Sequence, residues 1–169
     1  MEFQQLIRTR RSIRGYRPDP VPQDALCRIL EAGRIAPTAA NRQPFQIVVI
    51  TDASTRKRFK DVYERDWFYT APVILAGCVE PAKAWQRADG FNAAEVDITI
   101  VMDHIILAAA DEGLGTCWIC NFDEPKAKQI LGVPADVRVI ALTPLGFPGA
   151  EPRPFERRPL DTLVRREKW

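Results

Sequence analysis

Residues 8–17 read RTRRSIRGYR, with arginine at Arg8, Arg10, Arg11, Arg14 and Arg17 and no acidic residue in the stretch. A guanidinium presents several N–H donors in a rigid fork, which suits carboxylate and phosphate oxygens. In an extended chain, residues two apart share a side, so Arg10, Ser12 and Arg14 would project together at about 6.6 Å per step. Two long cationic arms flanking a short hydroxyl can converge on one tetrahedral anion. A phosphate monoester carries the charge and the acceptor oxygens to match, and each charge-assisted hydrogen bond contributes about 1.5–3 kcal/mol. A solvated basic face has the same composition. A nucleic-acid patch is the third reading, disfavoured by the scarcity of stacking aromatics among the arginines. The stretch alone does not choose among them.

Two further segments carry chemistry-bearing residues. In APTAANRQPF (36–45), Thr38, Ala39 and Ala40 are small enough for the backbone to approach a flat ligand. Asn41 and Gln43 supply amides able to bond ring carbonyls and nitrogens, and Pro37 and Pro44 stiffen the two ends. In GLGTCWI (113–119) the glycines permit close approach, with main-chain N–H groups free to donate. Taken singly, the first is also an ordinary loop and the second a plain helix cap. His104, the single histidine, falls mid-helix and reads as structural or surface. Trp67, Phe68, Tyr69, Trp85 and Phe91 read chiefly as core, some of them alternatively as a lid over a flat ligand. A strand through Cys117 and Cys120 would point them to opposite sides, against dithiol chemistry.

The elements that must hold these residues follow from periodicity. EFQQLIRT makes a short helix, and PQDALCRILEAGRIAP a second, with apolar residues at 26, 29, 30 and 33. FQIVVI (45–50) and PVILAGCVE (72–80) are buried strands, separated by a helical DASTRKRFKDVYERDW. The spacing in NAAEVDITIVMDHIILAAADEGLG predicts a central helix of about 20 residues, roughly 30 Å long, with Asn92 and Glu95 as a capping box. A strand-like TCWICNF, a capped helix DEPKAKQILG and a strand VRVIALTPLG complete the series. No G-x-G-x-x-G follows a strand, so a Rossmann nucleotide site is not indicated.

The 169 residues suit a single domain spanning 1–169. Residues 147–169 carry too few apolar residues to fold alone and form an arm or a disordered tail. With 46% hydrophobic and 27% charged residues and a net charge of +2, no global basic field points to nucleic acid. No apolar run is long enough to cross a bilayer, and no signal-peptide pattern opens the chain, so the expected location is cytoplasmic. The cysteines Cys27, Cys78, Cys117 and Cys120 read as buried thiols rather than disulfides.

Four segments in this order, RRSIRGY, APTAANRQPFQIVVI, the central helix running into GLGTCWI, and RRPLDTL, resemble the nitroreductase family of flavin enzymes. The likeness extends over nearly the whole chain. It implies an α+β fold, a nitroreductase-like, mostly antiparallel central sheet flanked by helices, with the C-terminal arm wrapping a homodimer partner. It also implies one FMN per subunit at the dimer interface, hydride taken from NAD(P)H, and ping-pong reduction of nitroaromatics, quinones or related acceptors. By position, Arg10, Arg11, Ser12 and Arg14 become phosphate and ring contacts, with Arg14 a candidate for charge beside the ring. The Pro37–Asn41 loop, with Thr38, Ala39 and Ala40, would reach the flavin from the partner, Gln43 would be a further cofactor contact, and Leu114, Gly115 and Thr116 would pass the ring. Arg157 or Arg158 would add a late cation. No catalytic side chain and no metal ligand is expected. Thr38 and Phe45 stand where the family often has serine and tryptophan, and the chain is short. These departures bear on the substrate rather than the cofactor. The alternatives are a specialised member that uses its flavin for dehalogenation or flavin breakdown and, from another class, a small basic-arm nucleic-acid-binding module.

Overall fold

The computed structural model describes residues 1–169. Phe45–Ile50 forms strand β1 and the wholly apolar run Val73–Val79 forms β2, paired antiparallel from Phe45 opposite Val79 to Ile50 opposite Ile74. The two-residue β3 (Gly115–Thr116) and the long β4 (Arg138–Gly146) complete an antiparallel sheet in the order β1-β2-β4-β3. Alternation of side chains gives β2 two cores. Val73, Leu75 and Val79 join Leu26, Ile29, Ile98, Met102 and Ile105 on one face. Ile74, Ala76 and Cys78 join Phe59, Phe68, Val139 and Leu142 on the other. The chain is therefore α+β, with a central antiparallel sheet between helical layers.

Helices α1 (Phe3–Thr9) and α2 (Gln23–Arg34) lie on one side of the sheet. Beyond α3 (Ala53–Arg58) and α4 (Asp66–Tyr69) in the chain comes α5 (Ala94–Asp111), which packs with α2 over the first core. At Gly33 a β-carbon would sit 2.8 Å from the Ile105 side chain, so the bare backbone is what lets α2 cross α5 so closely. Helix α6 (Glu124–Leu131) covers the second face. It opens as its sequence predicts: the Asp123 carboxylate accepts from the Lys126 N–H at 3.0 Å, and Gly132 ends it with φ of 65°.

Three elements differ from expectation. The helix predicted over DASTRKRFKDVYERDW is broken into α3, a 3-10 turn at Phe59–Asp61, and α4. Phe59, Val62 and Phe68 must all enter one core, and no single helical stripe places them there. Asn92 does not form a capping box with Glu95: its Oδ1 accepts from the Ala94 N–H, its Nδ2 donates to the Pro81 carbonyl, and Glu95 pairs with Arg138. TCWICNF is a strand only at Thr116, with one further bridge at Ile119 to Leu142. In between, the Cys117 N–H turns to the Thr143 hydroxyl at 3.2 Å. All four cysteines are free, but only Cys78 and Cys117 are buried. Cys27 and Cys120 are exposed, a departure from the buried-thiol reading. No helix is long and apolar enough to cross a membrane.

Candidate functional site

The arginine stretch is threaded between β3 and the start of the C-terminal segment. Ser12 bridges Thr116, and the Ile13 N–H donates to the Thr116 carbonyl at 2.8 Å. Further on, the Arg17 N–H reaches the Phe147 carbonyl and the Gly149 N–H reaches the Gly15 carbonyl, at 2.9 and 2.8 Å. The Tyr16 hydroxyl donates back to the Ile13 carbonyl at 2.8 Å, and burial pushes this phenol well above its ordinary range. Ile13 itself is buried. A β-carbon at Gly115 would meet Ile13 at 2.7 Å, so the bare backbone here is required by strand packing. With Ile13 pinned inward, its neighbours in the alternation face the other way.

There, Arg10, Arg11, Ser12 and Arg14 line a cavity of about 300 Å³ together with Arg153, Pro154, Phe155 and Arg157. Five guanidiniums and one hydroxyl surround it, and no carboxylate does. None of the five arginines takes part in an ion pair, although the chain holds ten. Like charges gathered without counter-charge repel one another, and a bound anion relieves that repulsion. Buried behind this wall is the Cys117 thiol, its pKa pushed up by burial against the opposing pull of the Arg14 charge, the Ser12 hydroxyl and the Arg10 charge. A larger groove of about 610 Å³ between Arg58–Glu64 and α6 is lined by charges of both signs and contains none of the expected residues.

A second cavity of about 300 Å³ shares Arg10 and Arg11 with the first and is lined also by Leu114, Gly115 and Thr116. The structure thus brings together the first and third sequence segments. Of the two late cations left open, Arg157 lines the arginine cavity, whereas Arg158 donates to the Thr162 carbonyl at 3.2 Å. Arg153 and Phe155 were not singled out from sequence. The only signal for them is the interleaving of prolines and cations in EPRPFERR.

The second segment lies elsewhere. The Ala39 N–H donates at 2.8 Å to Asp97, in the first turn of α5, whereas Leu114 follows the far end of that helix. From Asp97 to the helix end at Asp111 the axis rises about 21 Å. Pro37, Thr38, Ala39, Ala40, Asn41 and Gln43 are therefore remote from the arginine cavity within one chain. The loop has a defined shape: Ala40, Asn41 and Gln43 take φ of 50°, 52° and 50°, in the left-handed region. The Thr38 hydroxyl accepts from the Gln43 N–H at 3.0 Å, and the Gln43 amide donates to Asn41 Oδ1 at 3.1 Å. Asp97 is 1% exposed, and its Oδ2 has no partner. His104 is half-buried on α5, and no group of side chains is arranged to hold a metal ion. Phe68 is fully buried and stacks edge-on with Trp67 and Tyr63, as core packing predicts, while Phe91 is exposed under Arg87.

Across residues 7–65 and 57–147 the chain matches the sequence model of the nitroreductase family, and it belongs to that family. It is 32% identical to the NADH dehydrogenase of Thermus thermophilus, over 92% of this chain and 91% of that one. A shorter match, 29% identical over 62% of this chain and 42% of the other, is to the FMN reductase [NAD(P)H] of Bacillus subtilis. The crystal structure of a nitroreductase family protein from Clostridium difficile superposes with a TM-score of 0.92 at 30% identity, covering both chains completely.

Proposed function

We propose that the protein is an FMN-dependent NAD(P)H oxidoreductase that works as a homodimer and reduces planar acceptors such as nitroaromatics and quinones by ping-pong turnover. The observation that carries this reading is the cavity walled by five unpaired guanidiniums and a serine hydroxyl beside the Leu114–Thr116 segment. The donor set fits a phosphate monoester: cationic, fork-shaped and free of competing carboxylate. When bound, FMN supplies the hydride chemistry itself.

The chain's own part is binding and orientation. Arg10, Ser12, Arg14, Arg153 and Arg157 hold the phosphate, and Arg11 and the Leu114–Thr116 segment border the adjoining space. The loop with the Asn41 and Gln43 amides is about one helix length away, so it serves a site on another copy. A two-fold pairing along α5 brings each loop toward the partner's arginine end, the self-complementary contact of an isologous dimer. The outward side of α5 supports that pairing. Val96 is 47% exposed, and Ile100, Leu107 and Ala110 are only half-covered, around the exposed Thr99 and Asp103. An apolar helix of this kind is normally buried on all sides.

Purified protein should be yellow and carry one FMN per subunit. It should oxidise NADH or NADPH with a nitroaromatic or quinone acceptor. Colourless protein that FMN fails to reconstitute overturns the reading. Turnover confined to a halogenated phenol would replace it with the specialised dehalogenating alternative.

A further inference from the structure

Beyond Phe147, which packs against the first core, the C-terminal segment contributes to neither core, yet it gives three residues with charge or ring character to the arginine cavity. The centre of this contact is Phe155, which is 44% exposed. The Arg11 guanidinium carbon lies 4.1 Å from the centroid of its ring and the Arg157 guanidinium carbon 4.3 Å from the same centroid. Arg11 also donates from Nη2 to the Arg153 carbonyl. One phenyl ring therefore carries two cations, one from each end of the chain.

A ring face attracts a guanidinium through its quadrupole, but two guanidiniums on one ring repel each other. That stack is favourable when an anion sits in the cavity that both arginines line. We propose that Phe155 is a positioning residue that couples docking of residues 153–157 to capture of a phosphate group, so that the anion latches the tail and the docked tail completes the grip. The coupling rests on the FMN reading only for the identity of the anion. Linkage makes it reciprocal: whatever factor docking adds to phosphate affinity, phosphate adds to docking.

The test combines three variants with two readouts. Phe155→Leu keeps an apolar side chain but removes the ring face, Phe155→Ala removes both, and Phe155→Trp restores a stronger ring. FMN and riboflavin affinities are measured by flavin fluorescence. Trypsin cleavage after Arg157 and Arg165 is followed by mass spectrometry in apo protein, with inorganic phosphate, with FMN and with riboflavin. The expected result is at least a tenfold loss of FMN affinity in the Leu and Ala variants, recovery in the Trp variant, and little change for riboflavin, which lacks the phosphate. Phosphate and FMN should slow cleavage of the wild-type tail, whereas riboflavin should not. Equal FMN affinity in wild type and Phe155→Leu, or tail cleavage indifferent to both FMN and phosphate, overturns the coupling and leaves the flavin assignment standing. Tail protection by phosphate in a wild-type protein that binds no FMN supports the coupling and removes the flavin assignment instead.

Discussion

Arg10 and Arg14 face a cavity that contains no carboxylate, so their charges are available to a ligand. Replacing Arg10 with alanine should remove a charge-assisted contact worth about 1.5–3 kcal/mol. FMN affinity in a fluorescence titration should then drop about tenfold to a hundredfold, and unchanged affinity would remove Arg10 from the grip. Asp97 is the opposite case, a buried carboxylate with one oxygen holding the Ala39 N–H and the other unpaired. Asp97→Ala should cost about 1–3 kcal/mol in a denaturant titration by orphaning that N–H, and Asp97→Asn, which keeps an acceptor, should cost less. Arg10, Ser12 and Arg14 were legible in the sequence because alternation along an extended chain is a local property. Asp97 had a signal too, a charge on the buried face beside Ala94, Ile98 and Val101, but nothing local says what it bonds. Arg153 and Phe155 were not legible because a contact between residues 11 and 155 leaves no periodic trace.

At the scale of elements, β1, β2, β4, α2 and α6 were readable from apolar runs, helical period and caps. The break between α3 and α4 was not, because its cause is three side chains sharing one core. Helix α3 offers a test of local capping. The Ser54 hydroxyl foremost, with the Thr55 N–H and hydroxyl, holds the Asp52 carboxyl down at about 2. A depressed folded-state value gives stability that is complete above the unfolded value near 3.8 and is lost as pH falls through about 2. Asp52→Asn caps without titrating, so its denaturation midpoint should decline less than the wild type's between about pH 4 and about pH 2. Equal declines would mean that the cap is not formed in solution.

For the molecule as a whole, one protomer separates the loop at 37–43 from the arginine cavity by the length of α5, and the proposed dimer closes that gap. Val96→Asp combined with Leu107→Asp charges the outward face of α5 without entering either core. The double variant should run as a monomer in light-scattering chromatography and lose its flavin absorbance in the same step. A monomer that keeps full colour would show that one chain suffices. From sequence, the proposed link between assembly and cofactor came only through the family resemblance, since the outward side of α5 by itself reads like more core.

The arginine cavity joins residues near position 10 to residues near position 155, and that has a consequence for biosynthesis. Two of its five arginines, Arg153 and Arg157, follow the last strand of the sheet, so the grip is complete only once the C-terminal end of the chain has been made and released. On the proposed assignment, cofactor loading follows release of the C-terminus, and a chain trimmed by a carboxypeptidase past Arg153 should keep both cores but lose its flavin colour.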